Sequence, residues 1–287
     1  MPPPPDTFTQ ILTEAVAEFV DRGYDSESRL GLWLERLRNA AQRGLMSDAE
    51  MERRIREALG QVYRRLVDRE GLLRAHRGIE RFTLARVKPA LRAELDRRIL
   101  ASASLIKLDR QRAIEETLQH FSGWATSIPP GGTTMAMKRE AKARARKSLA
   151  SLPYVERRVA IDQGAKLAAN LSEILATDGG ALAGIWRSRY PSVAQAKAQG
   201  YQARPEHVER NGRVYLVRDS WAQRRGFVKP GPAGYTDEIE RPAELVYCSC
   251  RYQWVHALRF LPPDMLTETG RGELARVKAQ TERMRAA

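Results

Sequence analysis

Two cysteines and two histidines in the last third of the chain are the residues whose types could bind a metal. Cys248 and Cys250 are separated by one residue, and His207 and His256 lie before and after them. Thiolate and imidazole are the usual ligands of structural zinc. The cysteines also share the parity of apolar neighbours, and free cysteine packs like a small hydrophobe. We therefore interpret both as reduced, buried packing residues without a metal, and zinc ligation stays open as the alternative.

Catalytic chemistry finds little support in the same region. His207 lies between Pro205 and Gly212, which predicts a turn, and a general base needs a partner within hydrogen-bond reach. The sequence places no carboxylate or nucleophile at a recognisable spacing from it. His76 and His120 have no obvious partner either. The glycine pairs do not form a phosphate-binding loop, and the acids after residue 218 show no metal-dependent nuclease pattern. We predict no catalytic residue and no cofactor.

A basic run at residues 138–147 could bind DNA. Between residues 133 and 158, eight lysines and arginines stand against two glutamates. Several cations on one helix can contact phosphates and release counterions, whereas a solvated helix face is the usual alternative. The run has no aromatic residue for base stacking, so binding would be independent of sequence. The predicted contacts are Lys138, Arg139, Lys142, Arg144, Arg146 and Lys147.

The elements that must position these residues differ between the two halves of the chain. Apolar residues recur every three or four positions from Phe8 to Gly23, from Ser26 to Gly44 and from a capping box at Ser47 to Leu73, which predicts helices. A further helical stretch covers 82–121, with a break expected at Pro89. Consecutive prolines and glycines at 129–132 mark a boundary.

Short strands are expected after Gly180. They are predicted around Ile185, over 213–217 and over 245–258, where Val246, Cys248, Cys250, Tyr252 and Trp254 share one face. The predicted fold is α+β and mainly α, a helical N-terminal half followed by a small domain of short antiparallel strands. The predicted divisions are a helical domain at 1–132, a basic helical segment at 133–178, the α+β domain at 179–262 and a charged tail helix at 263–287.

Three segments occur in an order that resembles a known family. Residues 157–166 read RRVAIDQGAK, residues 204–215 read RPEHVERNGRVY, and residues 242–251 read PAELVYCSCR. This series is similar to the C-terminal signature of the phage Mu F-like minor head proteins, over about residues 155–262. The positions that carry the motif, with a structural role, are Arg204, His207, Gly212, Glu244, Cys248 and Cys250.

The resemblance implies a structural, non-enzymatic virion protein. It implies a minor capsid or head morphogenesis protein near the portal of a tailed-phage head, bound to the portal or major capsid protein and in contact with packaged DNA. The alternatives are a head–tail connector or capsid decoration component, and a non-specific DNA-binding protein or nuclease that acts outside the particle.

Composition agrees with such partners. The chain has 287 residues, 43% of them apolar, and a formal charge of +14, which favours contact with phosphates or acidic protein surfaces. The sequence predicts neither a membrane span nor a signal peptide, so we expect synthesis in the host cytoplasm before incorporation into the virion.

Overall fold

The computed structural model describes residues 7–76, 78–133, 137–190, 192–201 and 203–286, and only the backbone of 137–142, 144, 145 and 286. The fold is α+β and mainly α, because 67% of the chain is helical and one small antiparallel sheet has three strands. The chain forms two compact units, one from residues 1–56 and 99–160 and the other from residues 57–98 and 161–287. The divisions at 132, 178 and 262 stay a prediction.

The first two helices have nearly the bounds that the sequence predicted, and capping residues define where they begin. Helix α1 (Phe8–Arg22) begins after Thr7, whose side chain accepts from the Gln10 N–H, and ends at Gly23. Helix α2 (Glu27–Gly44) begins after Ser26, whose side chain accepts from the Arg29 N–H. Their apolar faces pack with the end of helix α5 (Arg81–Thr126), where the Phe19 and Phe121 rings meet edge to face at 5.8 Å.

The third predicted helix is interrupted. Helix α3 (Asp48–Tyr63) continues as a π-helical turn at Arg64–Asp68, and a short helix α4 (Gly71–Ala75) follows. The Ser47 hydroxyl accepts from the Glu50 N–H, as a capping box requires, but the Glu50 carboxylate binds Arg53 and Arg54 instead of returning to Ser47.

The expected break at Pro89 is wrong, because α5 runs through it without interruption. A proline removes one helical N–H donor, and here Pro89 and Ala85, four residues earlier, are both exposed. Water can therefore satisfy the Ala85 carbonyl group that the proline leaves unpaired. Helix α6 (Met137–Asp178) likewise contains Pro153, so the basic run and the helix that ends at Asp178 are one element.

The sheet lies in the second unit with strand order β2-β1-β3. Strand β1 (Ala183–Arg187) pairs antiparallel with β2 (Val214–Leu216) and with β3 (Arg251–Val255). The remaining elements are short helices α7 (Val193–Ala198), α8 (Pro205–Glu209) and α9 (Trp221–Arg224), two 3-10 turns at Leu258–Phe260 and Pro263–Met265, and helix α10 (Glu268–Ala286).

The two faces of the sheet bury different kinds of side chain. Ala183, Leu216 and Val255 join an aliphatic cluster on one face. On the other face, Trp186 and Tyr215 pack with both cysteines. Gly184 makes room on this second face, since a Cβ there would lie 2.7 Å from the Tyr252 ring.

The third strand is shorter than predicted. Leu245 lies in a bend, Val246 and Tyr247 form a turn, and residues 248–250 have no regular secondary structure. Val246 is exposed although it shares the parity of the buried cysteines. A turn at Tyr247, whose φ is +63°, ends the alternation. From Cys248 to Trp254 the predicted alternation holds, since Cys248, Cys250, Tyr252 and Trp254 are buried or half-buried while Ser249, Arg251 and Gln253 are exposed.

Candidate functional site

A buried cluster joins His207 to the cysteine pair. Pro205 occupies the first turn of α8, where its missing N–H costs no helical hydrogen bond, and it starts the short helix that carries His207. His207, Cys248 and Cys250 are each less than a tenth exposed. The His207 ring lies edge to face with Trp186 of β1, with 5.2 Å between centroids. Residues 41 and 43 positions apart therefore meet on one face of the sheet.

The nitrogen and the two sulfurs of this cluster are close enough together to be ligands of one metal ion. His207 Nδ1 lies 3.5 Å from Cys248 Sγ and 3.7 Å from Cys250 Sγ. All three atoms lie within 4.8 Å of one another. The interaction between the two neighbouring thiols lowers the pKa of Cys248 and raises the pKa of Cys250.

Side chains from two other elements hold the turn that carries the cysteines. The Arg204 guanidinium donates to the Val246 carbonyl at 3.2 Å, and the Tyr247 N–H donates to the Asp162 carboxylate at 2.7 Å. Asp162 lies on α6, inside the helical segment of the family resemblance, and pairs with Lys166 at 3.0 Å. Charge-assisted hydrogen bonds of this kind fix backbone position, so the turn is held from both sides.

The other two motif residues shape nearby turns and lie outside the cluster. Gly212 has φ +84° and donates its N–H to the Trp186 carbonyl at 2.8 Å, which directs the chain into β2. Glu244 is exposed, and its carboxylate accepts the Arg241 N–H at 2.7 Å.

The predicted DNA contacts fall at the beginning of α6. Arg146 and Lys147 are exposed. The side chains of Lys138, Arg139, Lys142 and Arg144 lie outside the described part of the chain.

A second polar cluster escaped the sequence reasoning. His76 Nε2 lies 2.9 Å from Ser172 Oγ, and His76 Nδ1 lies 3.3 Å from His256 Nε2. Trp254 Nε1 also donates to Ser172 Oγ at 3.2 Å. Burial lowers the pKa of His76 to about 4 and also lowers the pKa of His256. No local spacing links these four residues, so no sequence signal could have found them.

The Ser172–His76 contact has the form of a nucleophile and base but differs from a working pair. A second histidine occupies the position of the orienting group, and the depressed pKa of His76 makes its ring a weak base near neutral pH. His76 is 1% exposed and Ser172 is half-buried, so a substrate could not contact the imidazole directly. We interpret this cluster as a buried hydrogen-bonded network.

A cleft of about 430 Å³ opens in the second unit, walled by Trp221, Tyr252 and Trp254. Each arginine that lines it is engaged. Arg218 pairs with Asp237 and Glu238, Arg241 pairs with Glu173, and Arg224 donates to the Asp219 carbonyl. Burial raises the pKa of Glu173. The cleft therefore offers an aromatic surface on which two arginines pair with carboxylates and the third, Arg224, donates to a backbone carbonyl.

Comparison of the chain with models of protein families, with curated proteins and with solved structures gave no match. Within the described ranges, no helix combines the length and the low polarity that a crossing of the bilayer needs.

Proposed function

We propose that this chain is a structural virion protein, a minor capsid or head morphogenesis protein that associates with the portal region of a tailed-phage head. One observation carries the proposal: the segments that resemble the Mu F-like signature come from three distant parts of the chain and meet around one turn. Asp162 comes from the first segment, Arg204 and His207 from the second, and Cys248 and Cys250 from the third. A chance likeness of three short segments has no reason to converge in this way.

The outer side of the same turn supplies a surface for a partner protein. Val246 is 54% exposed and Tyr247 is 58% exposed, while the cysteines on either side of Ser249 point inward. Tyr247 also adopts a positive φ, which a bulky residue adopts at a cost and which is frequent at functional positions. We propose that these two side chains contact the portal or the major capsid protein.

The proposed role does not include catalysis. The Ser172–His76 contact and the Cys248–His207 contact each join a possible nucleophile to an imidazole, but His76, His207 and Cys248 are each less than a tenth exposed, which speaks against hydrolysis of a substrate. Sequence-independent contact with packaged DNA through the basic run is part of the proposal, in agreement with the formal charge of +14.

Particle composition tests the virion role. Heads are purified on a density gradient from cells that produce the chain from its natural locus, and its peptides are quantified in heads and in soluble lysate by mass spectrometry. We expect the chain to sediment with the heads and to cross-link to portal or capsid protein. Its presence in the lysate alone, or cleavage of plasmid DNA by the purified chain with Mg²⁺, would contradict the proposal.

A pair of surface variants tests the docking turn. Val246→Asp places a charge on the turn, and Phe260→Asp is the matched control, because Phe260 is also about half exposed in the same unit. We expect Val246→Asp to reduce incorporation into heads while the melting temperature changes little, and Phe260→Asp to leave incorporation unchanged. Equal incorporation of the two variants would show that the turn is not the contact.

A further inference from the structure

The three buried ligand-type atoms of the His207–cysteine cluster fit the dimensions of a tetrahedral metal site. With zinc about 2.3 Å from sulfur and about 2.0–2.1 Å from nitrogen, a sulfur ligand and a nitrogen ligand lie about 3.5–3.6 Å apart. The two distances from His207 Nδ1 to the cysteine sulfurs are 3.5 and 3.7 Å. A metal ion would therefore fit among these atoms with little movement of the chain.

The backbone around Cys248 is arranged for a thiolate. The Ala243 N–H points at Cys248 Sγ at 3.4 Å, and the Cys248 N–H closes the turn on the Leu245 carbonyl. Hydrogen bonds to ligand atoms orient them and adjust their basicity in metal sites. Cys248 and Cys250 are both buried while Ser249 between them is exposed, so both sulfurs lie on the side of His207 and reach the same imidazole nitrogen.

Packing alone explains the cluster less well. Cysteine can replace a small apolar side chain, but a buried imidazole costs free energy unless its nitrogens have partners. His207 is 4% exposed, and its Nε2 finds no hydrogen-bond partner among the described residues. An apolar residue would fill this space beside Trp186 without that cost, whereas two thiols around one imidazole nitrogen are a ligand set for a soft divalent ion.

We infer that His207 Nδ1, Cys248 Sγ and Cys250 Sγ bind one zinc ion, with a water molecule in the fourth position. On binding, each thiol that is still protonated releases its proton to solvent, and His207 carries its remaining proton on Nε2. The ion links α8 to the turn between residues 245 and 250, both of which belong to the second unit. The inference stands independently of the proposed virion role.

Metal analysis of the full chain is the first test. The protein is produced without a histidine tag and purified without added metal, and its metal content per chain is measured by elemental mass spectrometry. We expect about one zinc per chain, since a site formed only in the folded chain retains its ion through purification. In the metal-free protein, added Co²⁺ should give the sulfur-to-cobalt charge-transfer bands and the intense visible bands of a tetrahedral thiolate site.

Four variants separate ligation from packing. Cys250→Ser and His207→Phe should abolish stoichiometric zinc and the cobalt bands. His207→Cys should retain both, because a thiolate can replace the imidazole ligand. Ser249→Ala is the matched control between the cysteines, where Ser249 is exposed, and it should bind as the parent does.

Two results would overturn the inference. One is a folded parent chain, shown by circular dichroism, that carries no stoichiometric zinc and gives no cobalt charge-transfer band. The other is a His207→Phe variant that keeps the full zinc content, because the ion would then lie elsewhere. Should Cys250→Ser fail to fold, His207→Cys and His207→Phe still decide the outcome, since only His207→Cys supplies a ligand atom at this position.

Discussion

Acid should destabilise this protein through His76, a residue without an assigned role in the sequence. Its side chain is 1% exposed and contacts the Ser172 hydroxyl and the His256 ring. Protonation of His76 therefore places a positive charge in a buried site where neither of these two contacts is a carboxylate. Desolvation by burial is the main cause that lowers its pKa from 6.5 to about 4, and the charge of His256 acts in the same direction.

The sign of the pH dependence follows from these two values. As the pH falls below 6.5, the unfolded chain binds a proton at His76 while the folded chain does not, so the unfolded state gains stability. The loss continues until the pH reaches about 4, where the folded state is protonated as well. A tenfold change in proton affinity corresponds to about 1.4 kcal/mol. The difference between a pKa of 6.5 in the unfolded chain and about 4 in the folded chain therefore lowers the free energy of unfolding by about 3 kcal/mol. The lowered pKa of His256 adds to the loss in the same direction.

Denaturant unfolding between pH 7.5 and pH 4 measures this loss. His76→Gln keeps a polar side chain but cannot titrate, so its free energy of unfolding should fall by about 3 kcal/mol less than that of the parent over this range. His120→Gln is the matched control, because it makes the same substitution at an exposed histidine of the first unit. Identical pH profiles for the parent and His76→Gln would refute the reasoning.

Two further predictions concern the sheet and the basic run. Gly184→Ala should lower the free energy of unfolding by about 1–3 kcal/mol, since the new Cβ would lie 2.7 Å from the Tyr252 ring, and thermal or denaturant unfolding measures this. Gly272→Ala in α10 is the control, because no atom lies within 4 Å of the added Cβ, and it should be neutral or stabilise the fold by up to about 1 kcal/mol. Equal losses of stability in the two variants would contradict the steric reason. Neutralising four cations of the basic run should make the fall of log affinity for duplex DNA with log salt less steep, by up to about 3–4 in slope. Binding titrations at several salt concentrations measure this slope. An unchanged slope would mean that the run is a solvated helix face.

Much of the helical half could be predicted because helix ends depend on neighbours in the chain. The hydroxyls of Thr7 and Ser26 accept from N–H groups three residues away, and Gly23 ends α1 with a positive φ. Such contacts close within one turn of helix, so residue type and spacing carry the information. The prediction at Pro89 was wrong for a related reason, since the effect of a proline depends on whether water can reach the carbonyl that it leaves unpaired.

The parity of the third strand could be predicted only in part. Alternation of buried and exposed side chains from Cys248 to Trp254 follows from extended backbone, and the sequence shows it. Tyr247 interrupts the pattern with a positive φ, and Arg204 and Asp162 stabilise the interruption from distant parts of the chain. The burial of both cysteines was therefore predicted correctly, but from a strand that does not extend to them.

The sequence by itself determined the fold class, the ends of the first two helices and the burial of the cysteine pair, because these depend on hydrogen bonds and apolar periodicity within a few residues. Only the tertiary structure decided that one nitrogen of His207 lies between two sulfurs, and that His76 meets a histidine 180 positions away. Side chains so far apart in the chain approach each other only when strands pair and helices pack, and no local pattern of residues encodes the distance between them.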